Sequence, residues 1–178
     1  MKRLGLTMLA VALCMIAARP AMAQGHLRYG VQAGLLMPIG DYGDLDKMGF
    51  VGGVGATYWL PGTGNIGVRG DLSYSQTSHD VIDGNTKIIG GMASFVYALM
   101  PASAPARVLL TAGVGYYNLK ESSTSSSDSK VGFGGGLAVA FKMGTGSTRL
   151  VVGTRYTSVS TDPKMNFLPI TVGLSFGK

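Results

Sequence analysis

Acid–base chemistry needs a titratable side chain near neutral pH, and histidine is the first place to look. The chain has two histidines, His26 and His79. His79 stands beside Ser78, Asp80 and Asp83, the residue types of a Ser-His-Asp nucleophilic set. Such a set needs a nucleophile, a base and an orienting group brought together by the fold. Neighbours along one polar loop rarely converge in that geometry, so a solvated loop is the expected reading. Asp41, Asp44 and Asp46 offer hard oxygen ligands of the kind Ca²⁺ takes. They lack the twelve-residue spacing with its central Gly and closing Glu, and no metal is expected. Pro61-Gly62-Thr63-Gly64 lacks the Lys-Ser/Thr that a phosphate-cradling loop carries. No catalytic residue and no cofactor is therefore expected.

The remaining chemistry lies in four charged residues set within otherwise small or apolar segments: Arg28, Arg69, Asp71 and Arg155. Each falls on the polar side of an alternating run, together with Gln32, Thr111 and Thr171. Charges inside a narrow protein interior must be paired or hydrated. Asp71 is expected to pair with Arg69 on its own strand, or with Arg155 or Arg28 from another. The result is a stabilising plug, with an ion-conducting or gating element as the alternative.

Those residues need elements to hold them, and the composition says which kind. Charged residues are 13% of the 178, and glycine contributes 28, against roughly a quarter charged and about 7% Gly in an average soluble domain. The hydrophobic share of 46% is ordinary. Few charges and many glycines without a three-residue period exclude coiled coils and collagen. Apolar residues spread along the whole chain argue against disorder.

Met1 to Ala23 has the layout of a secretory signal: Lys2 and Arg3, an apolar run Leu4–Ala18, then Ala21-Met22-Ala23 before Gln24. Cleavage is expected after Ala23, leaving 24–178 as the folded domain. Loss of Lys2, Arg3 and Arg19 takes the formal charge from +6 to +3. The basic residues that remain are scattered, so no nucleic-acid partner is expected. The single cysteine, Cys14, lies inside the signal, so the exported chain has no disulfide to staple it.

Beyond Gln24 the hydrophobic period is two. Eight alternating segments follow: Leu27–Met37, Phe50–Leu60, Ile66–Gln76, Thr86–Met100, Arg107–Lys120, Lys130–Lys142, Arg149–Val159 and Asn166–Phe176. The third is the clearest, with Ile66, Val68, Leu72 and Tyr74 against Arg69, Asp71, Ser73 and Ser75. The start of the fourth is ambiguous in register. Long polar loops are expected mostly at one end and short turns at the other.

A soluble barrel and a membrane barrel share this pattern but turn opposite faces to water. Three features favour the membrane. The polar face holds Gly, Ser, Thr and Ala where a wetted surface would carry Lys and Glu. Aromatic residues gather toward strand ends: Phe50, Tyr74, Tyr116, Phe133, Tyr156 and Phe167 on the loop side, and Tyr29, Tyr58, Trp59, Tyr97, Phe141 and Phe176 on the turn side. Two such girdles around an aliphatic band fit two membrane interfaces. Finally, eleven residues at ~3.3 Å each, tilted by ~40°, span roughly 28 Å. The reading is all-β: an eight-stranded, antiparallel, up-and-down transmembrane barrel, with both termini at the turn end.

Three stretches carry a family resemblance: Gly30-Val31-Gln32-Ala33-Gly34 followed by Pro38-Ile39-Gly40-Asp41-Tyr42; Ala112-Gly113-Val114-Gly115-Tyr116-Tyr117; and Phe167 to Phe176. In order and spacing the chain resembles the eight-stranded outer-membrane β-barrel proteins of the OmpA- and OmpX-like, small porin-family type. The resemblance implies a non-enzymatic protein of the bacterial outer membrane with a structural or surface role: envelope integrity, adhesion or interaction through its loops. It implies outer-membrane lipid and the export and barrel-assembly machinery as partners, and a monomer. That family usually ends on an aromatic residue, whereas here Gly177 and Lys178 follow Phe176. The alternatives are a narrow porin-like channel, a lipid-modifying membrane enzyme and a soluble, secreted lipocalin-like barrel.

Overall fold

The computed structural model describes residues 26–40, 43, 46–78, 85–121, 127–161 and 164–177. The signal segment, Asp41, Asp44, His79, Asp80, Asp83 and most of the serine-rich run 122–127 lie outside the described residues, so the expectations placed on them stand apart from the structure.

Eight strands follow one another: β1 (His26–Ile39), β2 (Gly49–Trp59), β3 (Ile66–Ser78), β4 (Asn85–Ala98), β5 (Ala106–Glu121), β6 (Ser127–Lys142), β7 (Arg149–Val159) and β8 (Met165–Phe176). Each pairs antiparallel with its sequence neighbours, and β8 pairs back onto β1, closing the barrel. Closure removes every sheet edge, which a hydrocarbon environment demands because it offers no water to an unpaired N–H or C=O.

The register shows how tightly the barrel closes. Cα partners run from Tyr29 through Ala56, Gly70, Ala93, Val114, Phe133, Ser158 and Asn166, and return to β1 at Ile39. The circuit has climbed ten residues along β1, from 29 to 39. For eight strands a shear of ten sets a tilt of about 40° and an interior only as wide as interdigitating side chains. This explains the abundant glycine. At Gly34, Gly113, Gly136 and Gly173 an added Cβ would overlap a neighbouring strand's backbone.

Alternation then assigns every face. Leu72, Val114, Val131 and Phe133 are among the most exposed apolar residues, all on the outer side. Leu36, Ile88, Val96, Tyr117 and Val159 are fully or nearly buried inside. The molecule is therefore apolar on its outside, while its lumen holds both apolar and polar side chains, among them Asp71, Ser94, Arg107 and Thr157. The register of β4, ambiguous in the sequence, is fixed by its neighbours: Ser94 lies opposite Arg69, so Ile88, Met92, Ser94 and Val96 face inward with Arg69.

The connections differ from the expectation in length. β5 and β6 are 16 residues each, reaching Glu121 and Ser127 on either side of the serine-rich stretch. The ladder continues past the apolar belt because Ser, Thr and Asn pair through their backbones as well as any other residue. Composition still separates the two ends. At the end bearing the termini, the turns 60–65, 99–105 and 143–148 contain no charged residue. The first of these owes its tightness to left-handed glycines, Gly62 (φ 78°) and Gly64 (φ 61°), a conformation that a side chain resists. At the other end Asp46 is buried and accepts a hydrogen bond from Thr77 Oγ1, while the Lys47 N–H donates to the Ser78 carbonyl. The β1–β2 connection is thereby tied down onto β3.

Candidate functional site

The polar centre of the molecule lies midway along the lumen. Asp71 on β3 has one carboxylate oxygen 2.7 Å from Arg69 Nη2 and the other 3.2 Å from Arg155 Nη2. Arg69 also donates through Nε to Asp71 Oδ1 at 2.8 Å. Arg69 is two residues away on the same strand, whereas Arg155 comes from β7, four strands round the barrel. The Asp71–Arg155 bridge therefore crosses the lumen from wall to wall. Asp71 is almost sealed, its side chain 4% exposed against 19% and 20% for the two arginines. Arg69 Nη2 reaches Gln32 Oε1 at 3.4 Å, and Arg155 Nη1 lies 3.1 Å from Met92 Sδ. One carboxylate flanked by two guanidiniums leaves a local excess of positive charge, partly met by the Gln32 carbonyl oxygen.

Arg28 shares a register row with Arg69 through Thr57, but it does not join the network. Its guanidinium turns toward the end bearing the termini, where Nε donates to Ser175 Oγ (3.2 Å) and Nη1 to the Gly177 carbonyl (3.1 Å). Nη2 donates to the carbonyls of Ser147 and Ser175. Its place near the start of β1 puts the carbonyls of Ser147, Ser175 and Gly177 within reach of its guanidinium.

Two more arginines, neither anticipated as site residues, act in the same way. Arg107 opens β5 and is 4% exposed. It donates to the carbonyls of Met100 and Gly64, and its guanidinium carbon sits 4.6 Å above the Trp59 ring. Arg149 donates to the carbonyls of Ala102, Ala104 and Ala140. The strand parity that sends Val108 and Leu150 outward was the available signal for both.

Trp59 was expected in the lipid-facing girdle, and the structure corrects this. It is 7% exposed and packs inside with Val96 and Ala98. Tyr58 precedes it on a regular strand, and successive side chains take opposite faces. Only one of the two can meet lipid, and Tyr58 does. Phe167 is corrected for the same reason. It is 5% exposed and meets Tyr117 edge-on, with centroids 6.0 Å apart. The other girdle residues lie on the outside: Tyr29, Tyr74, Tyr97, Tyr116, Phe141, Tyr156 and Phe176 are all well exposed, and Tyr58 is half-buried. Tyr29 and Phe176 lie 6.5 Å apart at the end bearing the termini, and Phe50 and Tyr74 lie 6.1 Å apart at the other.

Both ends of the lumen are filled. Toward the loops, Leu36, Val51, Ile88, Tyr117, Leu119, Val159 and Phe167 form one apolar cluster. Toward the termini, Trp59, Val96 and Ala98 form another beneath Arg107. Between them remains a cavity of about 100 Å³ bordered by Gln32, Arg69, Asp71, Met92 and Arg155. That is room for a handful of waters. Among the described residues no three His, Cys, Asp or Glu side chains gather where a metal ion could be held. His26 lies exposed at the start of β1.

A closed eight-stranded antiparallel barrel, apolar outside and packed inside, defines the class of outer-membrane barrels. The family model described as outer membrane protein beta-barrel domain matches residues 7–176, and the chain belongs to that family. No curated protein matches the chain. Among solved structures, it is similar to Neisserial surface protein A, NspA, at 16% identity and a TM-score of 0.66, over 89% of this chain and 100% of that one. It is similar to OprG of Pseudomonas aeruginosa at 14% identity and a TM-score of 0.58, over 85% and 96%. Ail of Yersinia pestis in a phospholipid bilayer nanodisc gives 20% identity and a TM-score of 0.52, over 86% and 100%. At such identities the likeness concerns the fold.

Proposed function

We propose that this chain is a non-enzymatic, monomeric anchor of the outer membrane that acts through the end opposite its termini. The observation that carries this reading is the plugged lumen, in which the Arg69–Asp71–Arg155 network is flanked by two apolar clusters. A barrel built this way holds a surface in place and transports nothing. The end away from the termini bears all of the charged connections, whereas the turns at the terminal end have none. NspA is named as a surface protein and Ail as an attachment invasion locus protein. Those roles make adhesion or envelope integrity the readings to test first.

The lumen network is structural in this proposal, and the aromatic residues of the outer face set the depth of the barrel in the bilayer. Export begins with a signal cut after Ala23, so N-terminal sequencing of the membrane-extracted protein should begin at Gln24. The decisive experiment replaces residues 79–84 and 122–126 with two-residue turns in cells expressing the chain. The truncated barrel should still migrate heat-modifiably, while attachment to host surfaces or resistance to detergent should fall. Unchanged attachment and unchanged envelope integrity would overturn the surface role.

A further inference from the structure

Near the loop end, on the lipid-facing side, one register row runs Gln76–Lys87–Lys120 across β3, β4 and β5. The two lysines are direct Cα partners, both exposed and on the outer face, since Ile88 and Leu119 beside them are buried inside. Like charges directly opposite in an antiparallel pair repel, and among the described side chains no carboxylate pairs with either. The row's own polar contact is on Gln76, whose Oε1 accepts from the Tyr74 hydroxyl at 3.1 Å. The next row along the same face is Tyr74–Ile89–Asn118, in which Asn118 Nδ2 donates to Ser129 Oγ at 2.9 Å. Beyond it come Leu72, Tyr116 and Val131, then Val114, all exposed apolar or aromatic side chains. The surface is thus amphipathic along the membrane normal, with a paired cation above an aromatic rung and an aliphatic wall below.

We propose that Lys87 and Lys120 form a binding site for the phosphate of a membrane lipid in the leaflet at the loop end, with the lipid's acyl chains lying along Leu72, Tyr116 and Val114. Adjacent Cβ atoms of a register pair are about 5 Å apart, so two flexible ammonium groups converge on one phosphate, and the anion turns the repulsion of the pair into attraction. The occupant is a lipid and not a free ion, because Ile89 and Tyr74 lie in the row next to Lys87 and the wall of Leu72, Tyr116 and Val131 follows one row further on. The wall accounts for a hydrophobic tail and the lysines for a phosphorylated head, each in register with the other.

The test uses the full mature barrel, purified from membranes and exchanged into nanodiscs that contain either a diphosphorylated acylated glycolipid or the same glycolipid stripped of its phosphates. Native mass spectrometry after transfer to mild detergent reads the lipid retained per barrel. Wild type should retain the phosphorylated form and little of the stripped one. The double variant Lys87→Gln/Lys120→Gln should retain roughly 30-fold less, about fivefold for each lysine at an anionic surface. Lys87→Arg/Lys120→Arg should restore retention, and Lys142→Gln at the opposite rim should leave it unchanged. Heat-modifiable migration of each variant shows that it has folded. Undiminished retention by the glutamine variant, equal retention of the stripped lipid, or displacement by an equimolar amount of inorganic phosphate would each overturn the proposal.

Discussion

Asp71 is the residue on which the lumen's electrostatics turn. It holds Arg69 and Arg155 at 2.7 and 3.2 Å while its own side chain is 4% exposed. Replacing it by Asn keeps the shape and removes the charge, so two guanidiniums would face each other across a narrow space with no anion between them. Removing one member of a buried ionic set costs about 3–5 kcal/mol, because the remaining charge is uncompensated. The arginines retain some contact with water, which places Asp71→Asn at the lower end, about 3 kcal/mol. Arg28→Gln should cost about 1 kcal/mol, since Arg28 contacts neutral backbone carbonyls and leaves no orphan charge behind. Urea unfolding of the barrel in lipid vesicles would measure both. Equal destabilisation by the two variants would show that the lumen network contributes nothing beyond ordinary hydrogen bonding.

At the scale of the strand, Tyr117 shows how the walls are finished. Its ring lies flat over glycines of three neighbouring strands. A Cβ built on Gly90, Gly115 or Gly132 would come within 2.6, 3.0 and 2.9 Å of that ring, respectively. The ring replaces the side chains that those glycines lack and seals their backbone. Tyr117→Ala removes this cover and its edge-on contact with Phe167, and should cost about 3–5 kcal/mol. Tyr116→Ala, one residue away on the lipid side, should cost far less in the same unfolding measurement. A comparable loss for both would mean that the glycine cradle is not what Tyr117 stabilises. The same pair shows what was legible in the sequence. Alternation gave the eight strands and most of their faces, because Tyr116 outside forces Tyr117 inside. Parity places Trp59 and Phe167 inside as well, and it prevails over the lipid-facing tendency of an aromatic residue near a strand end. It could not place the guanidinium of Arg28, since parity sends a long side chain inward but does not say which end of the lumen it will reach. The start of β4 was likewise illegible until Ser94 could be set opposite Arg69, because register is a property of two strands and not of one.

At the scale of the whole molecule, closure determines what the barrel is able to do. A shear of ten on eight strands fixes the radius, and the sequence fills that radius three times over. Leu36, Ile88, Tyr117, Val159 and Phe167 occupy the loop end, the Asp71 network the middle, and Trp59 under Arg107 the end bearing the termini. These layers lie in series, so a continuous water path requires all three to give way. Planar bilayers containing the refolded wild-type protein should therefore show no conductance steps. Replacing the middle layer alone, as in Arg69→Ala/Asp71→Ala/Arg155→Ala, should still give none, even though it enlarges the 100 Å³ cavity, because the apolar layers above and below are untouched. A network that acted as a gate would behave oppositely, with the triple variant conducting steadily. Steps from that variant in a membrane where the wild type is silent would make the polar centre a gate and the barrel a channel.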